Sequence, residues 1–194
     1  MDDDGLGAGR LEVIGGPMFA GKSEELLRRV RRAQIAGRGV LVVSHALDTR
    51  AGHGTVTSHS GLQAASRTVG SARDIAGLVE PGTELVAVDE AQFFGPDLVD
   101  AAQDLADRGL VVVVAGLSVT FDARPFEPLP TLMALAERVD RLTAVCGVCG
   151  RDAAFHVRQR DDDAARSDPL RPVPAHVGGA EVYEARCRRH RHVA

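Results

Sequence analysis

Gly16, Pro17, Met18, Phe19, Ala20, Gly21, Lys22 and Ser23 fit G-x-x-x-x-G-K-[ST] at every defined position. Each element of that pattern has a task in gripping a polyphosphate. The glycines let the backbone pass close to phosphate oxygens. Successive backbone N–H groups and the start of a following helix supply partial positive charge. Lys22 adds a full charge at the β- and γ-phosphates, and the Ser23 hydroxyl is placed to ligate Mg2+. An ordinary glycine turn before a helix needs neither the lysine nor the serine.

A phosphate loop of this kind works with an acid at the end of a buried strand, which holds the magnesium ion or its waters. Leu85 to Val88 followed by Asp89 supplies one. Glu90 comes next, at the carboxyl end where α/β ligand sites form. A carboxylate there can act as general base toward an attacking hydroxyl; spacing alone leaves that role and an exposed loop acid equally open.

Cys146-x-x-Cys149 and Cys187-x-x-His190 are two chelating pairs. Brought together they make a tetrahedral Cys3His zinc site, structural because four protein ligands leave no open position. His192 is an alternative to His190 as the fourth ligand. The site uses every cysteine, and the thiols are expected to be reduced.

These groups need elements to position them. Leu11 to Ile14 reads as a strand into the phosphate loop, and Lys22 to about Ala36 as a helix with Leu26, Val30 and Ala33 on one face. Val40 to Val43, Leu85 to Val88 and Leu110 to Ala115 are continuous valine-rich runs, the pattern of parallel strands buried on both faces. A helix lies between the last two, from Pro96 to Gly109, with Leu98, Ala101, Ala102 and Leu105 as its stripe. Leu132, Ala136 and Val139 suggest a last helix. The expected fold is α/β, a P-loop core with a mostly parallel sheet. The charged, proline-rich stretch Arg158 to Pro174 reads as a long loop, and Met1 to Arg10 as a disordered tail.

The chain has 194 residues and a formal net charge of −4, without the basic excess of a protein that grips DNA. Arg28 to Arg32 form a local basic patch, read as a solvated helix face because Glu24–Arg28 and Glu25–Arg29 are i,i+4 pairs. No apolar run approaches the roughly 18 residues that span a membrane. A cytoplasmic location is expected, with neither membrane nor nucleic acid as partner.

Taken together the motifs resemble type II thymidine kinases from about Leu11 to His190. The similarity is carried by Gly16 to Ser23 with its Pro-Met-Phe filling, Asp48-Thr49-Arg50, Asp89 to Phe94, Leu142 to Cys146, and Gly178 to Cys187 including Tyr183, the chain's single tyrosine. The resemblance implies a RecA-like P-loop core (residues 11–141) and a zinc ribbon-like lid, or lasso (residues 142–194). It implies that Glu90 deprotonates the 5′-hydroxyl of deoxythymidine, that Asp89 organises Mg2+, and that Asp48, Thr49, Arg50 and Gln92 lie at the phosphates of ATP. Met18, Phe93, Leu117 and Phe121 would line the base pocket and Tyr183 would close it. The backbone of Pro174, Ala175, His176, Val177 and Gly178 would read the base edge. A homotetramer inhibited by dTTP is implied as well. The chain departs from the family at Ser118-Val-Thr-Phe121, at Asp122-Ala-Arg124 and at His176, which bears on nucleoside affinity. The rival readings are a kinase for another deoxynucleoside and a nucleic-acid-stimulated ATPase.

Overall fold

The computed structural model describes residues 9–48, 54–57, 61–159 and 182–192. In chain order the strands begin with β1 (Arg10–Gly16) and β2 (Gly39–His45), followed by a short hairpin of β3 (Thr55–Thr57) and β4 (Gln63–Ala65). Next come β5 (Arg67–Val69), β6 (Thr83–Val88), β7 (Val111–Leu117) and β8 (Arg138–Arg141). A six-stranded sheet runs β5-β2-β6-β7-β1-β8, and every pairing in it is parallel.

Both faces are covered, which is why the strand sequences lack alternation. On β7, Val112 and Val114 belong to one apolar cluster, Val113 and Ala115 to the other. The first cluster takes Leu98, Ala102 and Leu105 from helix α2 (Asp97–Asp107) and Leu129 and Leu132 from α3 (Leu129–Leu135). The second takes Leu26, Leu27, Val30 and Ala33 from α1 (Lys22–Ile35). Pro96 caps the start of α2, and Gly37 and Gly109 take positive φ just past α1 and α2.

Three expectations need correcting. The last helix ends at Leu135, and Val139 lies in β8, paired with Val13 of β1. β8 is a sheet edge whose Arg138, Asp140 and Arg141 break the apolar pattern of a strand, so Leu132, Ala136 and Val139 mimic a helical stripe. Arg10 opens β1 rather than closing a tail.

The third correction concerns Arg29, which is buried, not part of a solvated face. Its guanidinium meets Glu12 of β1 at 2.6 Å, Glu25 one turn back at 2.9 Å, and Asp140 of β8. Glu25 also takes Arg28 at 2.6 Å, and these contacts hold its carboxyl down at about 2, the Arg28 hydrogen bond foremost. Arg29 therefore joins the first helix to both strands at one end of the sheet.

Removing one partner of a buried ion cluster strands the other charges. Arg29→Ala is expected to cost about 3–5 kcal/mol in urea denaturation; a loss below about 1 kcal/mol would show the cluster to be solvated.

Candidate active site

Parallel strands end at one edge, and the chemistry-bearing segments leave from that edge. β1 runs into the phosphate loop, β2 into the turn that carries Asp48, β6 into Asp89 and Glu90, and β7 into Leu117 and Phe121. β7 lies between β1 and β6, so the acid reaches the loop across one intervening strand. Gly116 makes that possible. A Cβ there would sit 2.8 Å from Gln92 Oε1 and 3.1 Å from the Ala91 nitrogen, blocking the segment that folds over β7.

The loop has a shape that its sequence dictates. Phe19 and Gly21 both take positive φ, at 65° and 77°. Gly21 is the N-cap of α1 and supplies no side-chain cap, which suits an end reserved for an anion. Lys22 Nζ donates to the Pro17 carbonyl at 2.7 Å, folding the ammonium over the loop. The Ser23 hydroxyl donates to Asp89 Oδ1 at 3.2 Å, and the Glu90 N–H donates to the same oxygen at 3.0 Å. A hydroxyl and a carboxylate oxygen together are hard donors suited to Mg2+.

Glu90 is buried, so it is not an exposed loop acid. Its backbone is left-handed at φ 50°, a conformation that costs a non-glycine residue about 1–3 kcal/mol and concentrates at functional sites. Gln92, 2% exposed, donates its amide N–H to Glu90 Oε2 and accepts the Leu117 N–H at 3.0 Å through Oε1. The glutamine is thereby oriented by β7 and in turn fixes the carboxylate. A fixed, water-shielded carboxylate beside a phosphate loop can accept a proton from a hydroxyl brought to it.

Beyond the core, β9 (Ala144–Val145) pairs with β10 (Asp152–Ala153), and β11 (Phe155–Arg158) with β12 (Tyr183–Arg186). Ala144, Cys146, Ala153 and Ala185 form the small apolar centre of this lobe, and Phe19 and Ala20 of the phosphate loop pack against it. Tyr183 is buried, and the Arg158 guanidinium lies 5.6 Å from the Phe121 ring centroid and 5.9 Å from that of Tyr183. Phe121 and Tyr183 are thus brought to the same neighbourhood. Phe93 is buried 6.0 Å from the His45 ring, while Met18 and Leu117 are half-buried. Asp48 donates its N–H to the His45 carbonyl at 2.9 Å. Thr49 and Arg50, Pro174 to Gly178 with His176, and the loop from Asp161 to Arg171 lie outside the described residues.

Cys146, Cys149, Cys187 and His190 offer ligand atoms within 4.8 Å of one another. His190, not His192, is the histidine in this cluster: Nδ1 lies 3.3 Å from Cys187 Sγ and 3.7 Å from Cys146 Sγ. Burial raises the Cys146 thiol, but backbone groups of Cys187, Val148 and Cys149 and the His190 ring outweigh it and hold it at about 5. Cys149 is raised despite a backbone hydrogen bond from Arg151, because burial and the neighbouring sulfurs disfavour a second thiolate. The donor set of this cluster, three thiols and an imidazole, fits zinc.

Among the described residues, two histidines escaped the sequence reading. His45 accepts the Leu47 N–H at 3.0 Å and stands edge-on to Phe94 at 4.7 Å, bracing the turn into Asp48. His156 of β11 is buried, with Nδ1 3.4 Å from the Met18 nitrogen and its ring edge-on to Tyr183 at 5.7 Å. No paired spacing marks either. The single available signal was a histidine inside Phe155-His156-Val157, an apolar patch in a charged stretch.

The thymidine kinase family model matches residues 9–191. A thymidine kinase of Bdellovibrio bacteriovorus is 45% identical over 94% of this chain and 85% of its own length. One from Halobacterium salinarum is 46% identical over 93% of each chain, and one from Deinococcus deserti is 46% identical over 94% of each.

Burial, reinforced by the charge of Lys22, pushes the His156 imidazole from 6.5 down to about 3. The unfolded chain therefore binds a proton that the folded chain refuses between those values. Stability from this group is complete above 6.5 and is lost as pH falls toward about 3, by roughly 1.4 kcal/mol per pH unit. In His156→Leu, the acid-side slope of unfolding free energy against pH should be shallower by about one proton. An unchanged slope would mean the imidazole is not held neutral.

Proposed function

This chain belongs to the thymidine kinase family, and on that premise we propose that it transfers the γ-phosphate of ATP to the 5′-hydroxyl of deoxythymidine, giving ADP and dTMP. The observation that carries the reading is the buried, left-handed Glu90 held by Gln92 next to the Ser23–Asp89 contact. A nucleotide-binding protein that transfers nothing has no use for a shielded base at that point.

Gly16 to Gly21 wrap the polyphosphate, and Lys22 exchanges the Pro17 carbonyl for β- and γ-phosphate oxygens. Asp48, Thr49, Arg50 and Gln92 flank the phosphates, with Arg50 neutralising charge. Ser23 and Asp89 are the residues that would hold Mg2+, which supplies neutralisation of the charge developing on bridging phosphate oxygens. Glu90 accepts the 5′-hydroxyl proton on its carboxylate as the oxygen attacks the γ-phosphorus, and ADP departs. Met18, Phe93, Leu117 and Phe121 receive the base, Tyr183 closes over it, and the backbone of Pro174 to Gly178 reads its edge. Backbone donors and acceptors can match a base edge, so such a reader discriminates without side chains.

The lid, residues 142–194, is a unit of its own in this reading, folded around a structural zinc ion on Cys146, Cys149, Cys187 and His190. It takes no chemical step. A homotetramer, feedback inhibition by dTTP and a cytoplasmic location complete the proposal; no helix among the described residues is long and apolar enough to cross a membrane.

Purified protein should release ADP from ATP when thymidine is supplied, and not without it. Turnover driven by a different nucleoside, or by DNA, would replace this substrate assignment. Glu90→Gln should lower kcat by about a hundred- to ten-thousand-fold with modest change in KM; near-normal turnover removes Glu90 as base. Metal analysis after dialysis should find close to one zinc per chain, and less than about half would count against the ligand set.

A further inference from the structure

The peptide unit between Pro17 and Met18 is held at both ends. Its carbonyl accepts Lys22 Nζ at 2.7 Å, and its N–H donates to His156 Nδ1 at 3.4 Å. One end belongs to the residue that must move to the phosphates of ATP. The other belongs to β11, the strand paired with β12, in which Arg158 is opposite Tyr183. The same imidazole stands edge-on to Tyr183.

We infer that His156 is a positioning residue for the reaction: its imidazole fixes the Pro17–Met18 peptide and so ties the nucleoside side of the site to the phosphate loop. The inference rests on the thymidine kinase reading above. Three features carry it beyond packing. First, Nδ1 can accept the Met18 N–H through its lone pair, which requires the neutral ring with its proton on Nε2. Second, neither Lys22 nor Tyr183 beside the ring can replace it as acceptor for Met18. Lys22 is a donor already turned to the opposite end of the peptide, and Tyr183 presents its ring to the imidazole. Third, the apolar contact of Phe19 and Ala20 with the lobe sets the separation of loop and lobe but not the rotation of the peptide plane. That rotation is set by a directional bond, and Met18 leads from it both into the loop and, by its side chain, into the proposed base pocket. When Lys22 leaves the Pro17 carbonyl for ATP, the bond to His156 is what remains to keep the peptide from turning.

The test uses steady-state kinetics on the full chain for wild type, His156→Leu and His156→Asn. Leucine keeps apolar volume but offers no acceptor, while the asparagine Oδ1 can stand close to where Nδ1 stood. His156→Leu should raise KM for both ATP and thymidine roughly tenfold, the effect of one lost buried hydrogen bond, with a smaller fall in kcat. His156→Asn should recover most of both. Equal impairment in the two variants would reduce His156 to a space-filler, and wild-type kinetics in His156→Leu would remove it altogether. The ring nitrogens of the wild-type protein give an answer that does not depend on either variant folding well. In 15N spectra His156 should carry its proton on Nε2, and an Nδ1–H tautomer would overturn the inference. Wild-type protein inert toward thymidine would sink the substrate assignment instead, and the tautomer would still decide the role of His156 toward the loop.

Discussion

A phosphate loop must keep several backbone N–H groups aimed at one point while making few hydrogen bonds of its own, so its shape has to be imposed from outside. Here two bodies impose it. The end of β1, locked between β7 and β8, fixes where the loop departs, and the start of α1 fixes where it ends. The small lobe presses on the middle through Phe19, Ala20 and Met18. Loosening either body relaxes the geometry on which phosphate recognition depends.

The acid on the far side of β7 obeys the same logic. Asp89 bonds backward to the Val43 carbonyl through its N–H and forward to Ser23 and Glu90 through its carboxylate. Gln92 reaches across to β7, and the space it occupies exists because residue 116 has no side chain. A single methyl group at Gly116 would push apart the two halves of the site without touching a charged group. The strain at Glu90 is sustained because Asp89 holds its N–H, Phe93 donates to its carbonyl and Gln92 holds its carboxylate.

Much of this was readable in advance, for a physical reason. Continuous valine runs mark strands covered on both faces, so β2, β6 and β7 could be located from composition alone. The phosphate loop and the cysteine pairs are local in sequence, and local constraints survive without a fold. What escaped was non-local or marginal. β8 is a four-residue edge whose partners supply the order that its own residues do not. Arg29 looked like one more surface charge because Glu12 and Asp140 come from other elements. Glu90 was ambiguous because burial, which separates a shielded carboxylate from an exposed loop acid, is a property of the assembled edge. His156 had no partner in sequence at all; its partner is the Met18 backbone.

The order of the strands has a consequence for how such a chain comes to be folded. β1 finds its neighbours in β7 and β8, so Leu11 waits for Val112 and Val13 for Val139. During synthesis the first strand leaves the ribosome with its apolar residues unpaired, while β2, β5 and β6 can already associate. Pairings between distant segments close large loops before they are rewarded, which slows folding and prolongs exposure of strand edges. The strand that delivers the phosphate loop is therefore among the last to be seated. A nascent chain halted before β7 has the loop sequence complete and nothing yet to shape it.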